Sequence, residues 1–369
     1  MRWRDEQLDR LQAMRALRLP LRALAQLYGD GARLYHRTRQ LRVPHRASVP
    51  VISIGAAHAG GVGKTPITAY LARLLLEWGF EPAILSRGYG GRRPKSGVKG
   101  LEGHEDPAQW GDEPLMLARA LGGAPRGPHV YVAANRGLAA QAAEAGGAEV
   151  ILLDDGHQHH TLHKDLSILI LPAETHALRD QVIPAGRLRE PLPEAISRAD
   201  LVWRHGLGDS SGLTGPSHAN VDLRSRWKPL GIRSWKDSRL YPLKRLLEGP
   251  FGLYTSLARP ERVVDGLAHA LGQRPRILWW RQDADHAHLH LGAWQAMLQQ
   301  AAGAGVQRLL LTQKDAVKLP RGLQTDLAIW VLEGEVEVMS GREILERHLM
   351  DLLQSYASCT THQPGAGRA

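Results

Sequence analysis

The chain has a single cysteine, Cys359, in a polar carboxy-terminal stretch, so no intrachain disulfide can form and no oxidising compartment is required. It also lacks any apolar run approaching the roughly 18–20 residues that cross a bilayer. The charged amino terminus is not followed by an apolar segment and small-residue cleavage site, so no secretory leader is expected. No internal repeat of useful period is present. These absences exclude a disulfide scaffold, a transmembrane bundle and a solenoid, and make the cytoplasm the expected compartment.

Acidic residues are scarce at one end. The formal net charge is +10, and residues 1–46 are dense in arginine, opposed only by Asp5, Glu6, Asp9 and Asp30. Such an excess favours an anionic partner. Within it Leu17, Leu21, Leu24, Tyr28 and Tyr35 recur at helical steps, with Pro20 marking a kink or restart. That pattern predicts a basic amphipathic helix, lying either at an anionic membrane surface or against its own domain. The basic end has no interleaved aromatics on a recognisable module, so nucleic acid is not an expected partner, and no obligate protein partner is evident.

With 369 residues the chain has room for two domains of ordinary size. From Val49 onward, short apolar runs alternate with helical stretches. The runs lie at 51–54, 82–85, 129–133, 150–153, 167–171 and 201–204, and such alternation predicts a mostly parallel sheet with helices on both faces. A Gly/Ser/Asp-rich stretch at 206–217 reads as a connection. Strands at 252–255, 276–280, 308–312 and 328–332 and helices near 261–271 and 292–302 then make a second, smaller α/β lobe. The expected division is therefore 1–48 basic helical segment, 49–217 core, 218–354 second lobe and 355–369 disordered tail.

The first strand runs into Gly60-Gly61-Val62-Gly63-Lys64-Thr65, and the residues after Thr65 read as helix. Glycines let backbone N–H groups approach phosphate oxygens, and the helix amino terminus favours the anion. Lys64 would reach the β/γ-phosphates and Thr65 a magnesium ion. The strict pattern has glycine where this chain has His58. A second apolar strand, 150–153, ends in Asp154-Asp155-Gly156, carboxylates that can hold Mg2+ beside the phosphates. The expected class is a P-loop NTPase-type α/β protein using ATP and Mg2+.

Several stretches together resemble the tetraacyldisaccharide 4'-kinase family. They are Gly60 through Pro66, Ser86-Arg87-Gly88-Tyr89-Gly90-Gly91, Gly111-Asp112-Glu113-Pro114, Asp154-Asp155-Gly156-His157-Gln158-His159 and Pro184-Ala185-Gly186-Arg187-Leu188-Arg189-Glu190-Pro191. Later markers are Ala258-Arg259-Pro260-Glu261-Arg262, Asp285-His286 and Thr312-Gln313-Lys314-Asp315-Ala316. The resemblance implies ATP-dependent phosphorylation of the 4' hydroxyl of a lipid A disaccharide precursor at the cytoplasmic face of the inner membrane, by a peripheral enzyme.

By the same matching, Asp112 and His286 would form the dyad that draws the proton from the sugar hydroxyl, with Lys64 on the phosphates. Thr65, Asp154, Asp155 and Glu190 would surround magnesium. Arg87, Glu113, Arg136, Gln158, His159 and Arg189 would line the acceptor or its 1-phosphate, which guanidinium groups grip with paired hydrogen bonds. If Asp112 and His286 lie on separate lobes, closure would assemble the base.

The chain departs from the family pattern at Ala56, His58 and Asn135, which bear on the approach of nucleotide to the phosphate loop, at Pro172, 178–181 and Arg187, which bear on acceptor contacts, and at Gln313, which keeps hydrogen bonding but loses charge. His157, His159, His160 and His163 lack cysteine partners and a zinc-ligand frame. Two rival functions use the same motifs: a diverged kinase for another glycolipid, and a P-loop ATPase or GTPase acting as a switch or metallochaperone.

Overall fold

A computed structural model describes residues 18–41, 43–92, 97–122, 129–175, 180–207, 222–257, 259–284 and 287–360. Among the described residues, thirteen strands form one sheet. Twelve of them read, edge to edge, Ile277–Gln282, Phe251–Thr255, Arg308–Thr312, Ala328–Ser340, Asp222–Ser234, Leu201–His205, Leu166–Pro172, Val51–Ala56, Val150–Asp154, Pro82–Ser86, Val130–Ala133 and Val98–Leu101, and Leu240–Pro242 pairs beside Asp222–Ser234.

Val51–Ala56 lies between Val150–Asp154 and Leu166–Pro172, parallel to both. Both faces of this strand are covered, so it is apolar throughout and alternation is lost. Ile52, Ile54 and Ala56 pack with Ile67, Leu71, Leu74 and Leu75 of the helix Lys64–Glu77. Val51 packs on the other face with Ala139, Ala140 and Ala143 of the helix Arg136–Ala145. Asn135 caps this second helix, its side-chain oxygen accepting from Gly137 N at 2.9 Å. The departure from the family's aspartate thus keeps a cap of about 1 kcal/mol while dropping its charge.

The two halves of the sheet meet at a long antiparallel pair, Asp222–Ser234 with Ala328–Ser340. The expected strand at 328–332 is its first part only. Its continuation is held by cross-strand charge pairs, Arg226 Nε to Glu337 at 2.6 Å and Arg233 Nε to Glu333 at 2.9 Å. Gln313, where the family pattern has glutamate, donates to Glu333.

The carboxy-terminal helix, Arg342–Thr360, corrects the expectation of a tail beginning at 355. Leu345, Leu349 and Leu353, four residues apart, are buried in the same core as the helix Lys64–Glu77, and that stripe carries the helix onward to Thr360. Residues 361–369 and most of the expected connection at 206–217 lie outside the described residues.

At the other end the helix Arg18–Gln40 places Pro20 in its first turn, where a missing N–H costs nothing. It docks through small residues, Ala25 and Gly29, and through His36. Its large apolar side chains point away: Leu24 is 53%, Leu27 70% and Leu34 64% exposed. The helix thus lies against its own domain by a narrow face and turns a wide apolar face outward. No helix among the described residues is long and apolar enough to cross a membrane.

His205 ends its strand against the phosphate loop, its Nδ1 2.8 Å from Ser225 Oγ. Burial, helped by Arg262, pushes the imidazole down to about 4. The folded value lies below the ordinary one, so the stabilisation is complete above about pH 6.5 and is lost as pH falls toward 4, by up to about 3 kcal/mol. His205→Asn should therefore flatten the fall of Tm between those pH values; an unchanged slope contradicts the assignment.

Candidate functional site

The loop between Val51–Ala56 and Lys64–Glu77 turns on glycines whose backbone is left-handed, Gly60 at φ 97° and Gly63 at φ 90°. A Cβ on Gly63 would also run into the His205 ring. The helix amino terminus is therefore open, with no side chain capping it, and its N–H groups face the space beside Lys64 and Thr65.

Opposite lies the end of Val150–Asp154. Lys64 Nζ is 3.5 Å from Asp155 Oδ1, and Arg189 Nη1 lies 3.2 and 3.1 Å from the two Asp155 oxygens. Burial pushes the Asp155 carboxyl up, but Lys64 and Arg189 outweigh it and hold it below the ordinary value. Asp155 has φ 52°, unusual for a residue with a side chain, and such strain is common at functional turns. Asp154 is buried, with Oδ1 lacking any hydrogen-bond partner. Burial, with Glu113 and Asp155 nearby, raises its carboxyl to about 7.

An orphaned carboxylate oxygen within reach of a lysine's charge suits Mg2+, which keeps waters and phosphate oxygens and takes few protein ligands. No group of three or more acidic, His or Cys side chains is arranged for a metal among the described residues. Glu190, the further residue expected near magnesium, has protein partners of its own. It is fully buried, and its oxygens are engaged by Gln158 Nε2 at 2.8 Å, by Arg198 and by His36 Nε2 at 3.2 Å. Burial alone would raise its carboxyl, but these partners bring it down to about 2. Gln158 also donates to Ala56 O at 2.9 Å, so Glu190 links the helix Arg18–Gln40 to the strand before the phosphate loop.

Asp112 is fully buried at the start of the helix Asp112–Leu121. Its Oδ1 accepts from Glu113 N at 3.2 Å. Two lysines from the other half of the sheet approach it: Lys318 Nζ is 3.4 Å and Lys314 Nζ 3.9 Å from Asp112 Oδ2. Lys314 also donates to Glu113 at 2.9 Å. Lys318 is seated by Ser256 and by Asp315, whose Oδ1 lies 3.5 Å away. The sequence offered Lys314 only as part of a motif, and Lys318 not at all. The available signal was their four-residue spacing after an apolar strand, which puts both amines on one side of a helical turn. Asp285 and His286 lie outside the described residues.

Of the remaining acceptor candidates, Arg136 and Arg87 both act electrostatically on His159. Arg87 is exposed. Arg136 is buried and donates to Ala133 O at 2.8 Å. His159 contacts Thr161 Oγ1 at 2.8 Å, and burial, with Arg136 and other cations, lowers its imidazole to about 4. Arg189 is turned onto Asp155. Arg262, from the second half, donates to Gly61 O at 3.3 Å and also bonds Glu174, a contact with the phosphate loop not foreseen from sequence.

A glycine loop at a strand-to-helix junction, with a lysine facing paired aspartates and a buried aspartate nearby, defines a P-loop phosphotransferase. The family model described as tetraacyldisaccharide-1-P 4'-kinase matches residues 17–354. The tetraacyldisaccharide 4'-kinase of Hyphomonas neptunium is 34% identical over 78% of this chain and 79% of its own length. That of Anaeromyxobacter dehalogenans is 33% identical over 89% of this chain and 87% of its own. The chain belongs to the tetraacyldisaccharide 4'-kinase family. Its fold is similar to that of LpxK from Aquifex aeolicus, crystallised in complex with ATP, with a TM-score of 0.69 and 26% identity over 91% of this chain and 99% of that one.

Proposed function

We infer that the protein transfers the γ-phosphoryl group of ATP to the 4' hydroxyl of a tetraacyldisaccharide 1-phosphate, a lipid A precursor. The observation that carries this reading is the juxtaposition of Lys64, Asp155 and the orphaned Asp154 at the open amino terminus of Lys64–Glu77, in a chain matched to this family over most of its length.

The phosphate loop and Lys64 would hold the terminal phosphates, and Thr65, Asp154 and Asp155 would hold Mg2+. Bound there, the ion would neutralise charge on the phosphate oxygens. Asp112 would take the hydroxyl proton, with His286 as its partner, while Arg189 keeps Asp155 ionised. Residues 49–217 and 218–354 would act as two lobes hinged at the long antiparallel pair, with catalysis coming chiefly from positioning. Incubation with γ-labelled ATP and the disaccharide 1-phosphate should carry label into the lipid phase. Label found only as free phosphate contradicts the kinase reading and favours a nucleotide hydrolase.

The outward apolar face of Arg18–Gln40 would rest on the anionic surface of the inner membrane, on its cytoplasmic side, flanked by arginines. The combined variant Leu24→Glu, Leu27→Glu, Leu34→Glu should reduce flotation with anionic vesicles by about tenfold, since three sizeable apolar burials are lost. Unchanged flotation removes this surface from the account.

A further inference from the structure

The phosphate loop is held unevenly. Before its tip, Ala59 N donates to Arg187 O at 2.8 Å and Arg189 N to Ala57 O at 2.6 Å. After it, Val62 is buried in the core with Ile67, and the His205 ring backs Gly63. The tip between them is Gly60-Gly61. Beyond chain neighbours, nothing lies within 4 Å of where a Cβ would stand on either residue, and Gly61 is exposed. A glycine pair so placed can turn its peptide planes at little cost.

Among the described residues, one side chain bonds this tip, and it comes from the other half of the sheet. Arg262, in the first turn of the helix Glu261–Leu271, donates from Nη1 to Gly61 O at 3.3 Å. Its Nη2 donates to Glu174, which follows the strand Leu166–Pro172 beside Val51–Ala56. Arg259 Nη1 reaches the same carboxylate at 2.9 Å. Burial would push the Glu174 carboxyl up, but its own backbone N–H and the charges of Arg262 and Arg259 hold it below the ordinary value. The ionised Glu174 thus seats a guanidinium whose rigid fork turns its other amino group to the loop. The contact fixes more than a carbonyl. A peptide unit is planar and trans, so the C=O of Gly61 and the N–H of Val62 point in opposite directions. With Gly61 O on Arg262, the Val62 N–H faces away from the arginine.

We propose that Arg262 is a positioning residue for the nucleotide: by holding Gly61 O it presents the Val62 N–H to the terminal phosphates, so that the loop grips ATP fully only while the two halves of the sheet are joined there. The proposal rests on the loop holding ATP as in the kinase reading above. Lys314 and Lys318, on the same half as Arg262, approach Asp112. The grip on nucleotide and the seating of Asp112 therefore depend on one juxtaposition of the two halves.

The test is equilibrium binding of a fluorescent ATP analogue with Mg2+ to the full-length protein, beside steady-state turnover. Arg262→Ala should weaken binding by about tenfold or more, the worth of one amide hydrogen bond to a charged phosphate. The KM for ATP should rise in proportion, while kcat and the KM for the acceptor stay within about twofold of wild type. Arg262→Lys should restore part of the affinity. Arg259→Ala, which removes an ion pair on Glu174 but no contact with the loop, should bind the analogue within about twofold of wild type. Unchanged affinity in Arg262→Ala overturns the proposal even if Tm falls, because the arginine is then an ion-pair contact only. An equal loss in Arg259→Ala overturns it as well. If the wild-type protein binds the analogue but labels no acceptor, the kinase reading fails alone, and the affinities still decide the role of Arg262. If it binds no nucleotide, both fall.

Discussion

Asp112→Asn should lower kcat by about 10²–10⁴-fold while ATP binds within about twofold of wild type. The substitution keeps size at a fully buried position and removes the negative charge facing Lys318 and Lys314, and with it the capacity to accept a proton. A sugar hydroxyl attacks poorly unless its proton is drawn off as the bond forms, and Asp112 is the buried carboxylate closest in sequence to Glu113, whose charge is felt by Asp154. The check is steady-state turnover beside equilibrium binding of a fluorescent ATP analogue. Turnover near wild type removes Asp112 as the base.

Lys318→Met should lower kcat by about tenfold or more, acting through Asp112. Lys318 Nζ lies 3.4 Å from Asp112 Oδ2, with Lys314 at 3.9 Å and the negative charges of Glu113 and Asp315 beside the lysines. Removing one partner of a buried pair leaves the other charge uncompensated, at a cost of roughly 3–5 kcal/mol, so stability will fall as well. Turnover alone is therefore ambiguous, and a double-mutant cycle separates the roles. If Lys318 works by positioning Asp112, adding Lys318→Met to Asp112→Asn should change kcat little further. Multiplied losses would make the lysine a structural contact only. Lys318→Arg, which keeps the charge, should restore part of the loss.

The nucleotide half of the site was legible because its determinants are local. A buried strand, a glycine turn and a helix follow one another in sequence, and Asp154 and Asp155 end a strand that pairs directly with the first. The strand Asp222–Ser234 was not legible. It contains Arg224, Arg226, Lys228, Pro229 and Gly231, which give no strand pattern until Ala328–Ser340 supplies Glu333 and Glu337 across the ladder. The partners of Asp112 were hidden for a similar reason. Lys314 and Lys318 stand some two hundred residues away, and only the meeting of the two halves shows them opposite a carboxylate. The partners of Glu190 were equally hidden, since Arg198, Gln158 and His36 reach it from separate parts of the chain. In the amino-terminal helix, leucine spacing marked an apolar face, but the docking face is built from Ala25 and Gly29, whose small size carries no hydropathy signal.

A phosphorus NMR spectrum of the lipid product, correlated with its sugar protons, bears on the central claim most directly. Transfer from loop-bound ATP should yield a new phosphomonoester signal coupled to the 4' proton of the distal sugar, absent with Lys64→Ala. A spectrum showing only inorganic phosphate, or a phosphate on another carbon, would contradict the account.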